Sequence, residues 1–176
     1  MKKFIKQGVE SQDTWPVLQV TEGERAVVPE AGQWLVPLAV WREQRRQLLA
    51  RSQALGVQLE PADDPATLAG DTGALAVVAV NFPSFTDGRG FSTARLLRER
   101  HGFKGELRAV GDVSRDQIFL LARCGFDAFL LREGEDAEGA TAALKDFSEV
   151  YQAANDRGPL FDRRFDRCFD RHFARG

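Results

Sequence analysis

Three short strand-like segments, each followed by a helical pattern, constrain this chain more than anything else in it. Residues 74–80 form an unbroken apolar run, 107–110 read as a second strand, and Phe129-Leu130-Leu131 as a third. Runs of this length suit buried strands rather than helices. The spacing predicts a helix over 92–101 after the first strand. Ser114-Arg115-Asp116-Gln117 has the pattern of a capping box, in which the hydroxyl caps the third amide and the glutamine reaches back. The helix it opens runs through Ile118, Leu121 and Ala122 to a stop at Gly125, and its all-round apolarity predicts burial on more than one side. Asp136 is the expected cap of a long helix with Ala140, Leu144, Phe147, Tyr151 and Ala154 on one face. Strands alternating with helices imply βαβ units, a parallel sheet and right-handed crossovers. The expected class is α/β with a short parallel sheet, either open or part of a barrel completed by a partner.

Upstream, Phe4-Ile5, residues 15–20 and residues 25–28 read as short strands separated by turns, a small N-terminal β appendage over 1–35. Pro37 suits the first position of a helix, with Leu38, Trp41, Leu48 and Leu55 as its apolar stripe and Gly56 as its stop. Val57 and Leu59 alternate with polar residues as a strand does, and Asp64-Pro65 can open one helical turn ending at Gly70. The reading is one α/β domain over 1–156, followed by a tail over 157–176. In that tail Phe161, Phe165, Phe169 and Phe173 recur with period four, which on a helix makes a slowly drifting apolar stripe. The tail reads either as a frayed extension or as an amphipathic helix that docks on a partner or on its own domain.

Composition narrows the partners. The 176 residues are 43% hydrophobic, enough for a real core, and 24 basic against 26 acidic side chains leave a net charge of −2. That balance calls for neither nucleic acid nor a membrane surface. The tail differs: six Arg against three Asp give it +3, so the preceding residues carry −5. Two cysteines, Cys124 and Cys168, make no metal spacing. Cys124, inside an apolar helix, reads as a small buried hydrophobe, and the usage fits a reducing cytoplasm. The N-terminus lacks the pattern of a signal peptide, and no apolar run reaches the ~20 residues that span a bilayer.

In open α/β sheets ligands gather beyond the carboxyl ends of parallel strands. The first such end offers Asn81, Ser84, Thr86, Asp87, Gly88, Arg89, Gly90 and Ser92. The second offers Gly111, Asp112, Ser114 and Arg115, and the third Arg132, Glu133 and Gly134. Arginine forks suit planar or tetrahedral oxyanions, and the amides of a helix starting near Ser92 would add partial positive charge. A small oxyanion or phosphate-bearing ligand is the expected occupant. Asp87 and Asp112 are the candidate bases; each reads equally as a group that merely fixes an arginine. Gly88 and Gly90 read as suppliers of positive backbone dihedrals in a tight turn. An enzyme working through Asp87, Arg89, Asp112 and Arg115 on a small anionic substrate is one reading of this rim.

Familiar signatures are missing. Asp87-Gly88-Arg89-Gly90 lacks the third glycine of a dinucleotide fingerprint, and no Walker-type lysine follows a glycine-rich loop. No cysteine cluster could hold an iron–sulfur centre, and His101 and His172 fall at a helix end and in the tail. No metal or cofactor is expected. The apolar helix over 115–124 also leaves room for a homodimer.

Several words of the chain resemble one bacterial domain-of-unknown-function family, whose genes usually accompany those of assimilatory sulfite reductase. They are Asn81-Phe82-Pro83, Thr86-Asp87-Gly88-Arg89-Gly90-Phe91-Ser92, Ala94-Arg95-Leu96-Leu97-Arg98, Gly105-Glu106-Leu107-Arg108-Ala109-Val110-Gly111-Asp112-Val113, Arg115-Asp116-Gln117 and Cys124-Gly125-Phe126-Asp127-Ala128-Phe129. Trp15, Val36-Pro37-Leu38 and Leu55-Gly56-Val57 fit as well. The resemblance reaches to about Ala154 and leaves out the phenylalanine repeat. It implies a part in sulfite reduction, with sulfite reductase or another sulfur-assimilation enzyme as partner. It assigns no catalytic residues.

Overall fold

The computed structural model describes residues 2–21 and 25–144. The regular half of the sequence folds as its pattern dictates. β5 (Val77–Phe82), β6 (Glu106–Gly111) and β7 (Ala128–Leu130) pair in parallel, joined by α2 (Arg89–Arg95) and α3 (Arg115–Arg123). Upstream, β3 (Trp34–Pro37), α1 (Leu38–Leu49) and β4 (Leu55–Leu59) extend the same parallel run, and α4 (Ala137–Ala143) follows β7. An antiparallel hairpin, β1 (Phe4–Lys6) and β2 (Val9–Ser11), joins the far side through β1 against β7. The result is an open seven-stranded sheet, ordered β2-β1-β7-β6-β5-β4-β3.

Because each crossover steps to the next neighbour in one direction, the helices share one face. Trp41, Leu48, Ala94, Leu97, Ile118, Leu121 and Ala140 from the helical layer pack with Val36, Val57, Val78, Val80, Leu107, Ala109 and Phe129 in one core. The other face carries Leu35, Val77, Ala79 and Val110, with Trp15 and Val17 laid across them. Val17 bridges Leu35 in parallel, the Leu18 amide donating to the Leu35 carbonyl and the Leu35 amide to that of Pro16. Segment 16–18 thereby covers the β3 edge, one way a fold protects an open edge. β2, at the opposite end, is exposed along its length.

Several expectations need correction. Residues 15–20 and 25–28 are not strands apart from the Val17 bridge, and the N-terminal β appendage is an antiparallel hairpin at the edge of the main sheet. β3 was not expected, because Pro37 signals a helix start while it also ends a strand; it becomes the N-cap of α1. Leu55 and Gly56 lie in β4, and α1 stops at Leu49. Gly56 serves close packing: a Cβ there would stand 2.6 Å from Leu35 Cδ2 and 2.8 Å from the Val77 carbonyl oxygen. α3 is buried along one side only, with Leu120 54% exposed. The helix expected over 92–101 starts three residues earlier, at Arg89, and closes as a π-helical turn, Leu96–Arg100.

The local caps follow the sequence. Asp64 accepts the Ala66 amide ahead of the 3-10 turn Pro65–Leu68, and Asp136 accepts from Glu138 and Gly139 at the start of α4. At Ser114 the returning half of the capping box is firm: Gln117 Oε1 accepts the Ser114 amide at 3.2 Å. The serine hydroxyl faces the Gln117 amide but is buried without completing a full hydrogen bond. The helical continuation through Phe147, Tyr151 and Ala154, and the phenylalanine repeat, lie outside the described residues.

Candidate functional site

The loops after β5, β6 and β7 meet at one rim, as the parallel order requires. Asp112, just past β6, ties them together. Its Oδ2 accepts the Phe85 amide at 2.9 Å, and its Oδ1 accepts from Arg132 Nη1 at 3.4 Å. Arg132 Nε donates to Glu135 Oε1 at 2.9 Å, and Glu135 Oε2 accepts the amide of Arg115 at the head of α3, at 3.3 Å. Gln117 Nε2 donates to the Phe85 carbonyl at 3.0 Å. The Phe85 backbone is therefore held at both its amide and its carbonyl, while the residue is 46% exposed.

Asp87 and Arg89 form a second, self-contained unit at the start of α2. Arg89 donates to the carboxylate through Nε at 3.0 Å, Nη2 at 2.7 Å and its own amide at 3.2 Å. The guanidinium hydrogen bond holds the Asp87 carboxyl below the usual carboxylate range, so Asp87 is poorly suited to take up a proton. The ring is closed on the carboxylate side and open on the other: the Asp87 side chain is 13% exposed and that of Arg89 is 61%. Arg132 is likewise 48% exposed. Ser84 and Thr86 share a hydroxyl contact of 3.1 Å within the same loop.

The remaining predicted residues divide. Gly88 lies in open space with φ of −83°, and Gly90 is buried inside α2; neither has the positive dihedral expected of it. Gly90 is small because a Cβ would meet the Phe82 ring at 2.4 Å. Ser92 is exposed within α2 instead of at its first turn. Arg115 and Glu133 are exposed at the rim. Asn81 faces away from the helices and donates to Glu60 Oε2 at 2.7 Å; Gln58 donates to Glu60 Oε1 at 3.0 Å. Glu60, Phe85 and Glu135 belong to the rim but were not read from the sequence as part of it, and Gln117, read there only as the capping-box glutamine, reaches it as well. Glu60 directly follows β4 and Glu135 directly precedes the N-cap of α4, and position is the only signal either offers.

The amino ends of the same strands hold charge differently. Arg98 donates to the carbonyls of Gly125, Phe103 and Gly105 and to Asp127 Oδ2, with its side chain 17% exposed. Burial pushes the Asp127 carboxyl up, against the pull of Arg98. Arg108, 1% exposed, pairs with Glu106 and with Asp13, and its guanidinium lies 4.3 Å from the centre of the Phe4 ring. A hollow of about 470 Å³ beside Arg98 is lined by Phe103, Lys104, Gly125 and Asp127, and another of about 640 Å³ lies between β2 and α4. Neither is at the rim.

Burial also raises the Cys124 thiol above its ordinary value, the reverse of what activates a nucleophile. No group of three His, Cys, Asp or Glu side chains that could hold a metal occurs among the described residues. No described helix is long and apolar enough to cross a membrane.

Comparison with curated proteins and with solved structures finds no significant match. A family profile, described as "bacterial protein of unknown function (DUF934)", matches residues 56–161. That stretch takes in β4 to α4, the rim and the amino-end arginine sites, and the chain belongs to this family.

Proposed function

We propose that this protein is a cytoplasmic accessory factor of assimilatory sulfite reduction. In this reading it has no redox centre of its own and meets the reductase, or an oxyanion handled by it, through the carboxyl-end rim. The observation that carries the binding reading is the state of the rim. Asp87 is locked onto Arg89 and both oxygens of Asp112 are engaged, whereas Arg89 and Arg132 keep much of their surface in solvent. Carboxylates held this way are poor general bases, while exposed arginines fixed in position are good anion receptors. The sequence resemblance alone supplies the link to sulfur assimilation.

The test combines a deletion strain with a purified system. The strain should grow on sulfide and fail on sulfate and sulfite. Purified sulfite reductase should turn over faster, or be captured, with the protein present, and Arg89→Ala with Arg132→Ala should abolish that effect. Equal growth on all three sulfur sources, together with no effect on the reductase, would overturn the proposal.

A further inference from the structure

We propose that the carboxyl-end rim docks an acidic protein segment, with the Phe85 ring as the apolar anchor and Arg89 and Arg132 as receptors for carboxylates that flank an apolar side chain of the partner. The inference rests on reading the rim as a binding surface. It names the occupant as a polypeptide rather than a free oxyanion.

The loop after β5 is built to hold Phe85 out. Residues Ser84–Asp87 form a turn closed by the Asp87 amide, which donates to the Ser84 carbonyl at 3.0 Å. Phe85 is the second residue of that turn and is exposed. Asp112 takes its amide, Gln117 donates to its carbonyl, and the Ser84 and Thr86 hydroxyls meet within the turn. The ring itself takes part in none of these bonds. A segment fixed before it meets a partner has already given up freedom that binding would otherwise cost. Aromatic residues and arginines are also the types enriched where partners meet.

Charge selects the partner. One carboxyl group, that of Asp112, holds both the Phe85 amide and Arg132, and Asp87, which closes the turn, holds Arg89. In each ion pair the carboxylate is the more covered member: the side chains of Asp87, Glu135 and Asp112 are 13%, 16% and 35% exposed, against 61% for Arg89 and 48% for Arg132. Within the described residues each guanidinium spends two of its five N–H donors on these bonds and keeps three. A partner therefore meets cationic forks near an apolar ring. A free oxyanion would satisfy the forks and leave the ring in water. A segment with Asp or Glu on both sides of an apolar residue satisfies both.

The probe is a random peptide library displayed on phage and selected on the full-length protein. Enriched sequences should carry Asp or Glu on both sides of an apolar residue. A synthetic copy should shift the amide resonances of residues 84–89 and bind more weakly as salt rises. Phe85→Ser should weaken it about tenfold, as loss of an interface anchor does, and Phe85→Leu should keep most of the affinity. Serine in place of the peptide's apolar residue should cost a similar factor, and Arg89→Ala with Arg132→Ala should remove the salt dependence. Thermal unfolding of each variant near the wild-type midpoint keeps these comparisons valid. No enrichment, enriched peptides that bind Phe85→Ser as tightly as the wild type, or rim shifts with sulfite or phosphate but with no peptide would each overturn the proposal. The library holds no reductase, so this test and the reductase assay can fail independently.

Discussion

The two ends of the parallel strands carry the same residue types and use them in opposite ways. At the amino ends Arg98 and Arg108 are surrounded: one donates to three carbonyls and a carboxylate, the other is clamped between Glu106, Asp13 and an aromatic ring. At the carboxyl ends Arg89 and Arg132 are held by carboxylates yet remain about half exposed or more. Both ends show arginine–carboxylate pairs. Burial separates the pair that fixes the fold from the pair that can still meet another molecule.

The largest expected effect follows from removing the most buried charge. Arg108→Ala would leave Glu106, itself 9% exposed, with only the half-exposed Lys6 as its ion-pair partner, and would release Asp13 and with it the segment leading to Trp15. Breaking a buried ion pair by removing one partner costs about 3–5 kcal/mol. Urea unfolding should show a loss in that range. A loss under about 1 kcal/mol, the size typical of surface pairs, would erase the distinction between the two ends.

A second prediction asks whether burial or position decides. Gly88 is the N-cap of α2 and Gly90 lies in its first turn, but only at Gly90 would a Cβ meet the Phe82 ring. Gly90→Ala should destabilise by about 1–3 kcal/mol, the usual cost of overpacking, while Gly88→Ala should be close to neutral in thermal unfolding. Similar effects at both positions would show that the loop conformation, rather than ring packing, demands glycine.

Arg89→Ala and Arg132→Ala should each leave stability nearly unchanged, as the loss of exposed pairs does. Under the proposed function they should nevertheless abolish the effect on the reductase, which a reductase assay with the folded variants would read. Large losses of stability at either position would move the rim into the same class as the amino ends.

The sequence revealed those parts of the molecule that local chemistry determines. β5, β6 and β7, the caps at Asp64 and Asp136, and the carboxyl-end rim all follow from apolar runs, short polar side chains at helix starts and the topology of parallel sheets. What stayed hidden depends on contacts distant in the chain. β3 is short and ends in a proline that also signals a helix. Gly56 imitates a helix stop, although its smallness answers to Leu35 and Val77. Glu60 and Glu135 are unremarkable surface residues until folding sets them against Asn81 and Arg132. The burial of Arg98 and Arg108 carried no signal, because no pattern in a single sequence marks a buried guanidinium. The family match covers Gly56, Glu60, Arg98, Arg108 and Glu135 without explaining them, and leaves β3 outside.

The smallest expected effect distinguishes the two ends by sign. The Asp127 carboxyl is raised, first by burial, so the folded state holds that proton more tightly than the unfolded chain does. Its contribution favours the fold at low pH and is lost as pH rises from the ordinary aspartate value, about 3.9, to the raised one. The Asp87 carboxyl is lowered, first by its hydrogen bond from Arg89. Its contribution is present above the ordinary value and is lost as pH falls through the lowered one. Carbon-13 titration of the aspartate carboxyls in the folded protein should therefore find Asp127 above and Asp87 below that value. Arg89→Ala should move Asp87 upward toward it and leave Asp127 in place. If Arg89→Ala shifted Asp127 as strongly as Asp87, the two ends would be electrostatically coupled through the sheet, and burial would no longer account for their difference.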